Sequence, residues 1–289
     1  MTGIDWLGAF LPFYNKKAID ADIIHSHFVF PDLIIASSIN IYNKPLVVTV
    51  RQGDFNNAKK SALNKYLFKK YLRKAAVIVA LTPTIADKLK SYVIDSSKIK
   101  VIPNFIDSNF FEHPFLQSKS KEGKIGVICV ANLIKRKNVD WLIRIHSNLP
   151  DLFNLTIVGS GTEYSMLKSI ASASVIFTGK LARDDVISYL DANDLFILPS
   201  DKETFGLVFV EALSRGLPTI GKVGTGLDGF DSSALYFVND EVELEELIKF
   251  HAAEHKEGVD HSESAMSFST KFSEEQVVSL HLEVYESLI

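Results

Sequence analysis

Leu195-Phe-Ile-Leu-Pro-Ser-Asp-Lys-Glu-Thr-Phe-Gly-Leu-Val-Phe-Val-Glu-Ala-Leu-Ser-Arg-Gly-Leu-Pro218 is the stretch from which the fold is read. It opens as a buried strand ending at Pro199-Ser200, crosses a polar loop and enters a helix near Phe205–Gly206. Gly216 and Pro218 stop that helix, in the order helix ends favour. A glycine at a helix mouth leaves backbone N–H groups open to an anion, and the helix dipole favours a phosphate there. Glu203 stands just before the helix, and Glu211 lies eight positions later inside it. Flanked by Val210, Ala212 and Leu213, a carboxylate at 211 needs hydrogen-bond donors, which sugar or ribose hydroxyls supply. An isolated glutamate pair reads more readily as one solvated loop charge and one partner of a structural Arg or Lys. The strand–loop–glycine–helix context turns the reading towards a ligand.

Outward from this stretch, apolar β-branched runs alternate with helical patterns, which predicts βαβ units and parallel sheets. Candidate strands in the first half are Ile23–His25, Leu46–Val50, Val77–Leu81 and Lys100–Ile102, with helical periodicity over Asp32–Tyr42 and Lys59–Lys74. The polar break Gln117-Ser-Lys-Ser-Lys-Glu-Gly-Lys124 has the composition of a linker. A second strand series follows at Ile125–Val130, Leu155–Val158, Val175–Thr178, Leu195–Leu198 and Thr219–Ile220. Val277, Leu280, Val284 and Leu288 then recur at helical spacing. The expected architecture is α/β, with Rossmann-like domains over residues 1–118 and 119–271 and a closing helix over 272–289. Ligands in such sheets bind beyond the carboxyl ends of strands, in the cleft between halves, but a fold alone names no reaction.

The chain's 289 residues suit two such domains, and 47% hydrophobic with 23% charged residues is an ordinary globular balance. A net charge of −4 argues against general nucleic-acid binding. The single cysteine, Cys129, cannot form an internal disulfide, which predicts a reducing, cytoplasmic setting. No run approaches the roughly 18 apolar residues of a membrane span. Met1–Phe13 lacks the basic start, long apolar centre and cleavage site of a signal peptide.

The Glu203-x7-Glu211 segment resembles the signature of the family-4 retaining glycosyltransferases (glycosyl transferases group 1), which have the GT-B fold of two facing Rossmann-like domains. The resemblance implies that Glu203 contacts the donor sugar, that Phe205, Gly206 and Leu207 offer backbone N–H groups to a diphosphate, and that Glu211 holds ribose hydroxyls. Val130-Ala-Asn-Leu-Ile-Lys-Arg-Lys-Asn-Val139 resembles the family's strand-end loop. Lys137 falls on its lysine, which neutralises the leaving diphosphate, and Asn132 stands where arginine is common, with Lys135 or Arg136 as candidate substitutes or solvated loop charges. Gly159-Ser-Gly161 matches a Gly-x-Gly turn that is weak evidence alone. Phe177-Thr-Gly179-Lys180-Leu181 resembles the loop whose backbone holds the nucleotide base, and Phe272 onward the closing helix that crosses back to the first domain.

In the first half, Asp22-Ile-Ile-His25-Ser-His27 and Ile102-Pro-Asn-Phe-Ile-Asp107 resemble family segments, with Phe105 in place of a glycine. Val48-Thr-Val-Arg51-Gln-Gly-Asp54 occupies a position where histidine is common at 51; Arg51 there is a fixed positive charge near the reacting centre. His25, His27 and Asp54 are the acceptor-side candidates, each histidine reading equally well as packed or functional. Family chains usually open with a strand and a glycine-rich loop, so roughly 60 to 90 residues are expected to be absent ahead of Asp22. That shortens the N-terminal domain and leaves a sheet edge exposed.

Lys59, Lys60, Lys65, Lys69, Lys70, Arg73 and Lys74 interleave with Leu63, Tyr66, Leu67, Phe68, Tyr71 and Leu72, a pattern shared by solvated helices and by helices lying on an anionic membrane surface. Asp20-Ala-Asp22 precedes a strand and is discounted as a metal motif, and no Cys/His cluster has zinc spacing. The expected reaction moves a sugar from a nucleoside-diphosphate donor to a hydroxyl of a glycan or lipid-linked acceptor, with retention and without a cofactor or metal. The implied role is surface polysaccharide assembly, such as lipopolysaccharide or capsule, at the inner face of the membrane. The alternatives are a donor-binding remnant or partner protein without catalysis, and an epimerase of the same fold.

Overall fold

The computed structural model describes residues 21–40, 43–112 and 123–289. Met1–Phe13, Asp20, the end of the helix expected to reach Tyr42, and the polar break up to Glu122, with the boundary expected at 118, lie outside the described residues. The chain divides into a first unit that ends at Pro103 and takes in Val277–Ile289, and a second from Asn104 to Gln276.

In the first unit, strands β1 (Ile24–Ser26), β2 (Leu46–Val50), β3 (Val77–Ala80) and β4 (Ile99–Val101) form one parallel sheet in that order. Leu-Val-Val-Thr-Val and Val-Ile-Val-Ala are buried along their whole length, as central strands of a parallel sheet covered on both faces must be. The edge strands β1 and β4 are only partly buried. The helix expected from Asp32 is a π-turn over Val29–Leu33 running into Ile34–Ile39, and the one expected over 59–74 is Ala62–Leu72. Ser61 starts the latter by accepting the Asn64 N–H at 3.1 Å. The helix Glu274–Glu286 places Val277 and Val284 against Val47, Val77, Val79 and Ile102.

The second unit holds β5 (Ile125–Val130), β6 (Phe153–Val158), β7 (Ile176–Gly179), β8 (Leu195–Ile197), β9 (Thr219–Lys222) and β10 (Leu235–Val238). All are parallel, in the order β10-β9-β8-β5-β6-β7. The chain therefore builds outward from β5 to β7, returns, and builds from β8 to β10 on the other side. That is the dinucleotide-fold order, with its switch point between β5 and β8.

Residues 104–112 belong to this second unit rather than to the first. The Ile106 N–H donates to the Phe272 carbonyl at 3.2 Å, and the carbonyl of buried Phe110 accepts from Arg215 Nη1 at 3.1 Å. Arg215 is itself held by Asp191 at 2.7 and 2.8 Å, a buried bidentate pair. These contacts move the division from the expected 118 to the Pro103–Asn104 bond. Cys129 is fully buried, and burial pushes its thiol up to about 12, so it is an inert core residue at neutral pH. Among the described residues no helix is long and apolar enough to cross a membrane.

Candidate functional site

The loops after β5, β6, β7 and β8 converge at the carboxyl edge of the second sheet. Glycine makes the first convergence possible. A Cβ on Gly159 would lie 1.8 Å from the Ala131 carbonyl oxygen, and one on Gly161 would lie 2.2 Å from that of Leu133. Without side chains, the two loops interlock instead: the Ala131 N–H donates to Val158 O at 3.0 Å, and the Leu133 N–H to Ser160 O at 2.9 Å. The Gly159 N–H reaches across to Gly179 O at 2.8 Å, which ties in the loop after β7.

The result is a cavity of about 450 Å³ lined by Val130, Asn132, Gly159, Lys180, Leu181 and Glu211, among others. That volume lies within the range of small-molecule sites, and its place at the switch point is where such sheets bind ligands. Asn132 and Lys180 are exposed there, free to meet a ligand from solvent.

A second set of bonds fixes the charged groups. Asn138, in the left-handed region at φ 52°, donates through Nδ2 to the Pro199 carbonyl at 2.9 Å and to Asp201 Oδ1 at 3.0 Å. The Asp201 N–H donates to Arg136 O at 2.8 Å, and the Arg136 guanidinium donates to the Lys202 carbonyl. The loop after β5 is thereby fastened to the loop after β8. That brings Lys137 against Glu203, Nζ donating to Oε1, with both side chains largely buried. Arg136, considered as a possible replacement for phosphate-binding arginine, is engaged with this loop backbone.

The helix Leu207–Ser214 starts at Gly206, whose φ of 77° suits only glycine comfortably. A Cβ there would also lie 2.7 Å from the Phe209 ring. Val208 and Val210 are poor helix formers; burial of Phe209, Val210, Ala212 and Leu213 outweighs propensity. The first N–H groups of the helix have no partner within it, and Leu207 is exposed. The Phe205 side chain is turned into the core, 5.6 Å from the Phe272 ring centroid, so only its backbone can serve a ligand.

Glu211 faces the cavity one turn further on. Burial raises its pKa, against the pull of Arg183, whose Nη2 lies 3.4 Å from Oε1. Arg183 also binds Asp107 at 2.9 Å. Arg183 belongs to none of the sequence motifs, and Asp107 ends a family-like segment that the sequence places in the first half rather than at this site. Their positions, 76 residues apart, carry no local signal.

In the first unit, His25 donates or accepts at both ring nitrogens, with Tyr285 Oη at 2.6 Å and Thr49 Oγ1 at 2.9 Å. Burial, with His27 and His281 nearby, lowers its pKa to about 4, so it is a neutral structural bridge at pH 7. His27 is exposed and stacks on it at 4.8 Å. Asp54 is fully buried, and its carboxylate accepts three backbone N–H groups: Val29 at 2.9 Å, Phe30 at 3.1 Å and Arg51 at 3.0 Å. Proposed from sequence as an acceptor-side group, it is occupied as a backbone clamp. Arg51 caps the following helix and lies over the Phe28 ring at 5.5 Å, with its buried Nε lacking a hydrogen bond.

Residues 112–228 match the family model described as glycosyl transferases group 1, and residues 5–110 match that described as Glycosyltransferase Family 4. The N-acetyl-alpha-D-glucosaminyl L-malate synthase of Bacillus anthracis is 28% identical over 216 residues, 69% of this chain and 56% of that protein. The alpha-monoglucosyldiacylglycerol synthase of Streptococcus pneumoniae is 27% identical over 60% of this chain and 43% of its own length. The chain thus spans about half the length of these curated relatives. The solved structure of Anabaena Alr3699/HepE in complex with UDP superimposes with a TM-score of 0.77, at 20% identity over 97% of this chain and 82% of that one. The likeness in structure establishes the GT-B α/β fold.

Proposed function

We propose a sugar-transfer reaction for this chain, which belongs to the family-4 glycosyltransferases (glycosyl transferases group 1). The donor is a nucleoside-diphosphate sugar and the acceptor is a hydroxyl of a glycan or lipid-linked saccharide. The observation that carries the reading is the pairing of buried Lys137 with Glu203, on the loops after β5 and β8, together with a cavity at the same edge of the sheet that Glu211 lines.

The diphosphate lies at the opening of the helix Leu207–Ser214, and Lys137 neutralises the charge that grows as it departs. Preorganised positive charge in a largely buried setting is the principal catalytic demand of this reaction. Glu203 holds the Lys137 ammonium in place and accepts from the donor sugar. Glu211 exchanges part of its Arg183 contact for ribose hydroxyls, and Gly179, Lys180 and Leu181 border the base. The bond from C1 to the phosphate oxygen breaks with its electron pair on the diphosphate. The acceptor oxygen bonds to C1 from the same face, so configuration is retained, and its proton passes to the departing phosphate oxygen. No enzyme nucleophile and no metal take part in this scheme.

Contact with an anionic membrane surface fits a lipid-linked acceptor. The helix Ala62–Leu72 buries Phe68 and Leu72 but leaves Leu63 and Tyr66 at 64% and 60% exposure among its lysines. Surface polysaccharide or glycolipid assembly is the corresponding role.

The test is isothermal titration with UDP, GDP and ADP, followed by turnover with the matching sugar nucleotides. One nucleotide should bind, and Glu211→Ala should abolish that binding. Lys137→Ala should lower transfer by roughly 10²-fold or more. Wild-type turnover in the Lys137 variant refutes the assignment. Binding without turnover for any acceptor supports the alternative of a donor-binding partner protein.

A further inference from the structure

A separate polar cluster lies at the opposite edge of the second sheet. The helix Glu241–Glu257 carries His251 and Glu254 three residues apart, on one face. Gly258, at φ 78°, ends that helix and turns the chain back. His261, immediately before the helix Ser262–Ser269, then reaches the same spot. Glu254 Oε2 lies 2.8 Å from His261 Nε2 and 3.4 Å from His251 Nδ1.

One ligand atom from each of the three side chains falls within 4.8 Å of the others. Two ligands held tetrahedrally at zinc distances stand about 3.4 Å apart. The His251–Glu254 pair already has that separation, and the widest gap needs to close by no more than about 1.4 Å to match it. His251 is 2% exposed and turns its Nδ1 to Glu254. The adjoining cavity, about 40 Å³, is lined by all three residues and by His255 and Asp260. It has room for an ion with a water molecule.

We propose that His251, Glu254 and His261 bind a divalent transition-metal ion, zinc foremost, which clamps the turn between these two helices. Two imidazoles and one carboxylate suit zinc and its neighbours, whereas calcium and magnesium take oxygen ligands. Three protein ligands leave a fourth position for water. Ile125, the first residue of β5, and Pro218, just before β9, line this cavity, while Val130 and Val158, the last residues of β5 and β6, line the donor cavity. The ion is therefore structural and takes no part in sugar transfer, and the inference does not depend on that reading. The Cys/His spacing rule found nothing here because one ligand is a glutamate and the third arrives only through the turn.

The full chain, freed of metal by chelator, is titrated with zinc chloride against a chromogenic chelator, alongside Glu254→Gln and His261→Ala. One equivalent should bind the wild type, and each substitution should weaken binding at least 100-fold. At a hundredfold excess over Kd, zinc should raise the wild-type Tm by about 5–10 °C and leave the variants unmoved. Cobalt(II) in the wild-type chain, which needs no variant, should give the intense visible bands of a tetrahedral site. No stoichiometric uptake, variants that bind as the wild type does, a pale octahedral cobalt spectrum, or uptake without a rise in Tm each overturns the clamp. The turn would then be closed by the Glu254–His261 hydrogen bond and the backbone bonds from Gly258 and Val259, without an ion.

Discussion

Gly159→Ala separates crowding from backbone strain in the donor cavity. The new methyl would lie 1.8 Å from the Ala131 carbonyl oxygen, while real Cβ contacts do not fall under 3.0 Å, so the loops after β5 and β6 have to part by about 1.2 Å. The φ of 135° adds strain for any L side chain. A misplacement near 1 Å at a reacting site costs on the order of 10²-fold in rate. Breaking the interlock and accepting the strain together cost about 3 kcal/mol, a fall in Tm of about 6–12 °C.

Gly179→Ala supplies the comparison. Its φ is 74°, but nothing lies within 4 Å of an added Cβ, so it carries strain without displacement. The expected result is a loss of about 1–2 kcal/mol, smaller than that of the Gly159 variant. The assay pairs calorimetric melting with nucleotide titration for both variants. A Gly159 variant with wild-type Tm and affinity would refute the reasoning. So would a Gly179 variant whose Tm falls as far as that of the Gly159 variant.

Arg215→Met strands the buried Asp191 carboxylate and should cost about 3–5 kcal/mol in urea unfolding; adding Asp191→Leu should restore most of that loss. Asp54→Ala deprives three backbone N–H groups of their acceptor and should destabilise the first unit by about 3–5 kcal/mol, with Asp54→Asn intermediate, as read from Tm. His25 binds a proton near pH 4 when folded against 6.5 ordinarily, so the unfolded chain protonates first. Its contribution is whole above about pH 6.5 and is lost as pH falls towards 4, by at most about 3 kcal/mol for a partly exposed ring. His25→Gln should flatten the Tm profile across that window.

The strands of both sheets were legible because parallel strands covered on both faces must be continuous apolar runs, and β2, β3, β5 and β8 are such runs. The Glu203-to-Glu211 segment was legible because strand, glycine and helix stop are local signals. β10, only partly buried apart from Val238, and the helices Glu241–Glu257 and Ser262–Ser269 went unremarked, being weakly amphipathic or short. Pairings across long stretches of chain were not legible at all. Arg183 with Asp107, Arg215 with Phe110, and Asp54 with Val29 have no sequence signature, yet they determine which side chains remain available for a ligand. Asp54 shows the consequence: its motif position suggested chemistry, and three N–H groups claim it.

The first unit is discontinuous in sequence, since Val277 and Val284 complete a core whose other members are Val47, Val77, Val79 and Ile102. During synthesis the ribosome therefore delivers the whole of Asn104–Gln276 before the earlier unit can close. The later-made unit is able to finish first, inverting the usual N-to-C order of domain folding. Until the helix Glu274–Glu286 emerges, Val47, Val77, Val79 and Ile102 of the nascent first unit lack the apolar partners that complete their core.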